Sequence, residues 1–222
     1  MVAIYLDSAD LDEMWKWRDK VSGYTTNPSL MRKAGVKDYL DFARNVLQAI
    51  QDKPISFEVT SDDQVSMEAQ ARLLASLAPN VVVKIPITNT RGEYTSFVMG
   101  ALRRDNIKIN VTAVMTEEQV SHAAAFSPEI ISIFCGRIQD TGRSPIPILN
   151  WAMQFKAYHT KILWASARSV YSVKEAEQFC DIITLSPDLL AKLDLFGKDL
   201  TEYSLDTVKM FFNDAQKAGY VL

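Results

Sequence analysis

Short runs rich in Val, Ile and Leu alternate along this chain with longer stretches in which apolar residues recur every three or four positions. Strands of a parallel sheet are covered on both faces and read as near-continuous apolar runs, so the alternation predicts repeated βα units. The predicted strands are residues 2–6, 23–26, 55–59, 81–87, 107–113, 130–134, 161–165 and 181–185. Helices are predicted between them, among others over 10–18, 37–51, 62–77, 117–125 and 172–180, with Asp62 and Thr116 as N-caps. No Gly/Ser linker, low-complexity tract or long charge run divides these eight units. The expectation is therefore one domain over residues 1–222, a single α/β (β/α)8 barrel of the TIM type, slightly shorter than usual. A doubly wound open sheet is the alternative, but it usually carries a Gly-rich first turn, and Asp7-Ser8-Ala9-Asp10 has no glycine. An extra C-terminal helix is predicted at about 202–218, with Leu205, Val208, Phe211, Phe212 and Ala215 on one apolar face. That face either packs across its own barrel or clasps a neighbouring subunit.

Composition narrows the function. With 48% hydrophobic and 23% charged residues in 222, the chain has an ordinary globular makeup. Its net charge of -3 comes from interspersed acidic and basic residues, without the basic stripe that nucleic-acid binding requires. A small-molecule partner is expected instead. Residues 1–7 hold an apolar run too short for a signal-peptide core, and no segment approaches the roughly 18 apolar residues of a membrane span. The expected location is the cytoplasm, with Cys135 and Cys180 as free thiols. His122 and His159 stand far apart without nearby partners at ligand spacing, so no metal site is expected.

In a barrel of this kind the active site lies at the C-terminal ends of the strands, which makes polar residues closing apolar runs informative. Asp7 closes the first strand, Thr25-Thr26-Asn27 the second and Glu58 the third. Lys84 lies within the fourth, Asn110 and Thr112 close the fifth, and Ser132 sits in the sixth. Arg137 follows the sixth strand, and Ser166 and Arg168 follow the seventh. Lys84 is the sharpest of these, because Val81-Val82-Val83-Lys84-Ile85-Pro86-Ile87 puts an amine inside a run that should be covered on both faces. Burial disfavours an ammonium and frees the amine to attack a carbonyl, although a rim lysine with a buried stem fits the same pattern. Asp7 and Glu58 at separate strand ends offer two carboxylates for acid and base work, or else cap the helices that follow. Arg137 and Arg168 beside Ser132 or Ser166 suit a phosphate dianion, a surface salt bridge being the plainer role of each.

Taken in order, these residues carry a family resemblance. Leu6-Asp7-Ser8-Ala9, Thr25-Thr26-Asn27-Pro28-Ser29-Leu30 and Val83-Lys84-Ile85-Pro86 resemble transaldolases, and the second stretch is the most specific. Asn110-Val111-Thr112, Ser132 through Arg137 and Ala165-Ser166-Ala167-Arg168 continue the match over nearly the whole chain. The likeness is to the short, fructose-6-phosphate aldolase-like subfamily of bacteria and their phages. It implies that Lys84 forms a Schiff base with a donor ketose phosphate and that Asp7 manages protons during carbon–carbon cleavage. Glu58 and Thr112 would hold the catalytic water; Thr25, Asn27, Asn110, Ser132 and Phe134 would contact the sugar; Arg137, Ser166 and Arg168 would hold the phosphate. No metal or organic cofactor is implied, and the implied assembly is a homo-oligomer, a pentamer or a decamer of two stacked rings. Related aldolases usually carry Gln at the position of Glu58 and Tyr at that of Phe134, so both residues favour transfer over simple cleavage. The chain departs from the pattern at Ile133, Cys135 and Ala167, where a proline, a valine and an aromatic or aliphatic residue are usual.

Overall fold

The computed structural model describes residues 1–156 and 160–220, so His159 lies outside the described residues. The chain packs as two compact units, Met1–Leu190 and Ala191–Leu222. The first holds a closed barrel of eight parallel strands in chain order: β1 (Ala3–Asp7), β2 (Gly23–Thr25), β3 (Ile55–Glu58), β4 (Val81–Pro86), β5 (Ile109–Val114), β6 (Ile130–Ile133), β7 (Lys161–Trp164) and β8 (Ile182–Leu185). Each predicted strand forms within two residues at either end. The connecting helices are α1 (Leu11–Lys16), α2 (Pro28–Lys33), α3 (Tyr39–Ala49), α4 (Gln64–Ser76), α5 (Ser96–Arg104), α6 (Glu117–Ala124), α7 (Cys135–Asp140), α8 (Ile146–Met153), α9 (Tyr171–Phe179) and α10 (Pro187–Lys192).

Side-chain caps fix where several helices begin. Thr116 caps α6 as predicted, accepting from the Gln119 amide at 3.1 Å. On α4 the cap is Asp63, which accepts from the Ser66 amide at 2.8 Å, and not the predicted Asp62. Asp62 is drawn to the next βα connection, where it accepts from the Thr90 amide at 2.7 Å and the Thr90 hydroxyl at 2.8 Å. Asn27 caps α2 through the Leu30 amide at 3.0 Å, with Pro28 preset at the first helical position.

The barrel interior changes character along its axis. One level is apolar, with Tyr5, Val82, Ile130, Leu163 and Ile182 packed together and Ala165 against them. Side chains two residues apart on a strand share a face, so this level sets the facing of the next one toward the strand ends. Two positions on from Tyr5, Val82 and Ile130 stand Asp7, Lys84 and Ser132. Near the end of β5 the pairing with β6 shifts between Val111 and Val114, and Ala113 takes a left-handed φ of 62°. Such a bulge bends the strand and re-aims the side chains beside it, here Thr112.

The second unit contains a 3-10 turn, Leu193–Leu195, and the C-terminal helix α11 (Leu200–Ala218). Asp199 caps α11 through the Thr201 and Glu202 amides, and Gly219 ends it in the left-handed conformation, φ 68°. No residue of α11 is buried, and Leu200, Tyr203, Leu205, Val208, Met210, Phe211 and Phe212 are all exposed. Among the described residues no helix is long and apolar enough to cross a membrane.

Candidate active site

A cavity of about 610 Å³ opens at the C-terminal ends of the strands. The strand-end residues Asp7, Thr25, Glu58, Lys84, Thr112 and Ser132 all line it, as do Asn27, Phe134, Arg137 and Ser166 on the following connections. Strand register sets the ion pair in the cavity. Glu58 on β3 stands directly opposite Lys84 on β4, and the Lys84 Nζ lies 3.2 Å from Glu58 Oε2. The ammonium also donates to the Thr26 carbonyl at 3.0 Å, and Lys84 as a whole is only 6% exposed. Tyr39 on α3 anchors the end of β3, its hydroxyl donating to the Glu58 carbonyl at 2.6 Å.

Asp7 pairs in register with Thr25, whose hydroxyl donates to Asp7 Oδ1 at 2.7 Å. Asp7 is partly open to the cavity, yet protein surrounds its carboxyl, and burial holds its pKa above the ordinary aspartate value. The Lys84 charge and the Thr25 hydrogen bond pull the other way, while Glu58 adds to the rise. The result is a carboxylate more basic than an exposed one, in the same cavity as a buried amine.

Asn110 does not reach the cavity surface. It lies fully buried opposite Lys84 on β5, donating from Nδ2 to Ser56 Oγ at 3.2 Å. Ser132 donates its hydroxyl proton to Asn110 Oδ1 at 2.6 Å, which leaves the serine oxygen an acceptor toward the cavity. Asn27 likewise has its oxygen committed to the helix cap, so its NH2 group is the part available to a ligand. Thr112 Oγ1 is buried without a hydrogen-bond partner among the described residues, on a side chain that lines the same cavity as Lys84 and Glu58.

The two arginines separate. Arg137 lines the cavity with its guanidinium 5.8 Å from the centre of the Phe134 ring. Arg168 is not part of the lining: it grips Asp140 through Nε at 3.1 and 3.2 Å and through a still closer Nη2 contact. That grip holds the Asp140 carboxyl below the usual range. The start of α7 meets the loop after β7 at Gly136, where a Cβ would come within 1.6 Å of the Ser166 carbonyl oxygen. Ser166 itself has a left-handed φ of 65°. Cys135 and Cys180 are buried free thiols, and burial pushes Cys180 up to about 12.

The sequence reading passed over Arg32 and Lys33 on α2, Ala113 at the bulge and Thr184 on β8, all of which line the cavity. Thr184 was within reach, since it lies two positions on from the inward-facing Ile182. The arginine and lysine sit on a short helix whose approach to the cavity is a tertiary fact.

Parallel strands in closed order, with an amine, two carboxylates and an arginine gathered at their C-terminal ends, define an enzyme of the α/β-barrel class. Two solved barrels share the fold. The 3-hexulose-6-phosphate synthase from Salmonella typhimurium aligns with a TM-score of 0.62 at 15% identity, covering 83% of this chain and 89% of that one. KGPDC from Streptococcus mutans aligns at 0.60 and 13% identity, covering 84% and 88%. Sequence relatives are nearer. A probable transaldolase of Methanococcus maripaludis (strain C7) is 34% identical over 208 residues, 91% of this chain and 93% of that protein. One of Mesorhizobium japonicum is 33% identical over 214 residues, 92% and 96% of the two chains. The family model described as Transaldolase/Fructose-6-phosphate aldolase matches residues 4–221. The chain belongs to the transaldolase and fructose-6-phosphate aldolase family.

Proposed function

We propose that this protein is a transaldolase that carries a dihydroxyacetone unit on Lys84. The observation behind this reading is the pair formed by a buried Lys84 amine and Glu58 at 3.2 Å, in one cavity with the Asp7 carboxyl. Lys84 attacks C2 of a ketose phosphate, fructose 6-phosphate or sedoheptulose 7-phosphate, and water leaves to give a protonated imine. Asp7 takes the proton of the C4 hydroxyl, the C3–C4 bond breaks, and its electron pair moves to the imine nitrogen, leaving an enamine. The aldose phosphate departs. The enamine attacks the aldehyde of a second aldose phosphate, erythrose 4-phosphate or glyceraldehyde 3-phosphate, and Asp7 returns the proton. Water then releases the new ketose phosphate and restores the amine, a cycle that places the protein in the pentose phosphate pathway and calls on no cofactor.

Glu58 and Thr112 are the groups to position the water of imine formation and hydrolysis, Glu58 because it already touches Nζ and Thr112 because its hydroxyl is unpaired. Ser132, Asn27 and Thr25 face the sugar hydroxyls, Asn110 orders Ser132 from beneath, and Arg137 with Ser166 takes the phosphate. Arg168 contributes to phosphate binding only by leaving Asp140. Transfer is favoured over release of free dihydroxyacetone by Glu58 and Phe134, where the related aldolases usually carry Gln and Tyr. The uncovered apolar residues of α11 favour self-association of the chain into a pentamer or decamer.

Borohydride reduction with fructose 6-phosphate tests the imine on Lys84. It should leave a three-carbon adduct on Lys84, mapped by mass spectrometry, and Lys84→Met should remain folded but take up no label and turn nothing over. An adduct on another lysine alone would refute the mechanism. Native mass spectrometry of the same protein reads the assembly, and a monomer would refute the self-association.

A further inference from the structure

The mouth of the cavity holds two cations that the catalytic cycle leaves without a role. Arg32 and Lys33, in the last turn of α2, line the same cavity as Arg137. Neither side chain has a hydrogen bond or ion pair among the described residues, whereas Arg168 is taken by Asp140 and surface cations such as Lys16, Arg44, Arg91 and Lys161 each hold a carboxylate. A basic residue in a last helical turn meets the helix dipole favourably, but the dipole does not require it to face a cavity. The carboxylates in the lining are Asp7 and Glu58, both at strand ends in the Lys84 cluster, so the charge of Arg32 and Lys33 is left uncompensated.

Strand order places this charge. The helix α2 follows β2, while Arg137 follows β6 and Ser166 follows β7. In a closed ring of eight strands β2 and β6 stand diametrically opposed. A cavity of about 610 Å³ falls within the roughly 300–1,000 Å³ usual for small-molecule sites. Each phosphate monoester carries close to two negative charges and suits an arginine fork or a lysine point charge.

We propose that Arg32 and Lys33 form a second anion subsite across the mouth from Arg137 and Ser166, so that the cavity accepts sugars with a phosphate at each end. This rests on the reading of the cavity as a sugar-phosphate site, but not on its imine chemistry. The test therefore uses alditols, which have no carbonyl and bind without reacting.

Calorimetry on the full chain should show hexitol 1,6-bisphosphate or heptitol 1,7-bisphosphate binding at least about tenfold tighter than the matching terminal monophosphate. The double change Arg32→Met with Lys33→Met, which keeps both stems and the helix propensity, should bring that ratio to within about twofold of one. Arg137→Ala should shrink the ratio as well, because a bisphosphate then also has a single anchored end. A ratio near one in the wild type, or one that survives either substitution, would overturn the second subsite while leaving the enzyme's main reading intact. Failure of the monophosphate to bind at all would overturn both.

Discussion

Along β4 the inward face of the barrel steps from Val82 to Lys84, whereas along β7 the same step runs from Leu163 to Ala165 and stays apolar. The two walls are equally buried but held differently. On the β1–β6 side the polar groups order one another: Thr25 donates to Asp7, Lys84 to the Thr26 carbonyl, and Ser132 through Asn110 reaches Ser56. Such groups have given up part of their water, and a protein neighbour replaces it. The β7–β8 side has few polar groups to satisfy and serves mainly as packing. A barrel can therefore keep its fold on one side while the other side bears the strain of chemistry.

The sharpest way to break this contrast is Asp7→Ala on the polar wall. Imine formation needs mainly the amine, so the variant should still load ketose phosphate on Lys84 while kcat drops roughly 10²–10⁴-fold. Borohydride should then trap the uncleaved six-carbon sugar phosphate, where the wild type mostly shows the three-carbon unit. Near-normal turnover, or accumulation of the three-carbon adduct, would make Asp7 a structural residue and dissolve the division between walls. On the apolar wall Ile182→Ala should do the reverse, costing about 2–5 kcal/mol of stability by urea unfolding with kcat per folded molecule little changed. A large kcat loss there would show that packing beneath the site also tunes its chemistry.

The smallest effect sharpens the picture within the polar wall. Thr25→Val removes a hydrogen bond that favours the ionised form of Asp7, so the Asp7 pKa should rise further above the ordinary aspartate value. Because the ionised form is the base, activity falls as pH drops through that pKa, and the acid limb of the kcat profile should move to higher pH. At neutral pH the loss should be no more than about tenfold. An unmoved acid limb would assign that limb to another group.

What the sequence disclosed, and what it withheld, follow the same physics. All eight strands were readable because burial on both faces writes them as apolar runs, and Lys84 was readable because it interrupts one. Pairings between distant residues were not. Nothing local to Arg168 marks Asp140 as its partner, and nothing in Asp62-Asp63 says which aspartate faces its own helix and which faces Thr90. The bulge at Ala113 and the turn of Arg32 and Lys33 toward the cavity also depend on neighbours in space. Asn110 shows the intermediate case, correctly marked as a polar strand residue but placed one layer behind the surface where its sequence position suggested a contact.

Gly136 sets a rule for anyone reshaping this enzyme. Since any side chain there would overlap the Ser166 carbonyl, the connections after β6 and β7 cannot be diversified one at a time. A library that randomises the 134–137 segment against a fixed 165–168 segment will discard nearly every member lacking glycine at 136, whatever its merits for a new substrate. The two stretches form a cassette, to be transplanted together between homologues, and chimeras that divide them should be recovered far less often than those that cut elsewhere in the barrel.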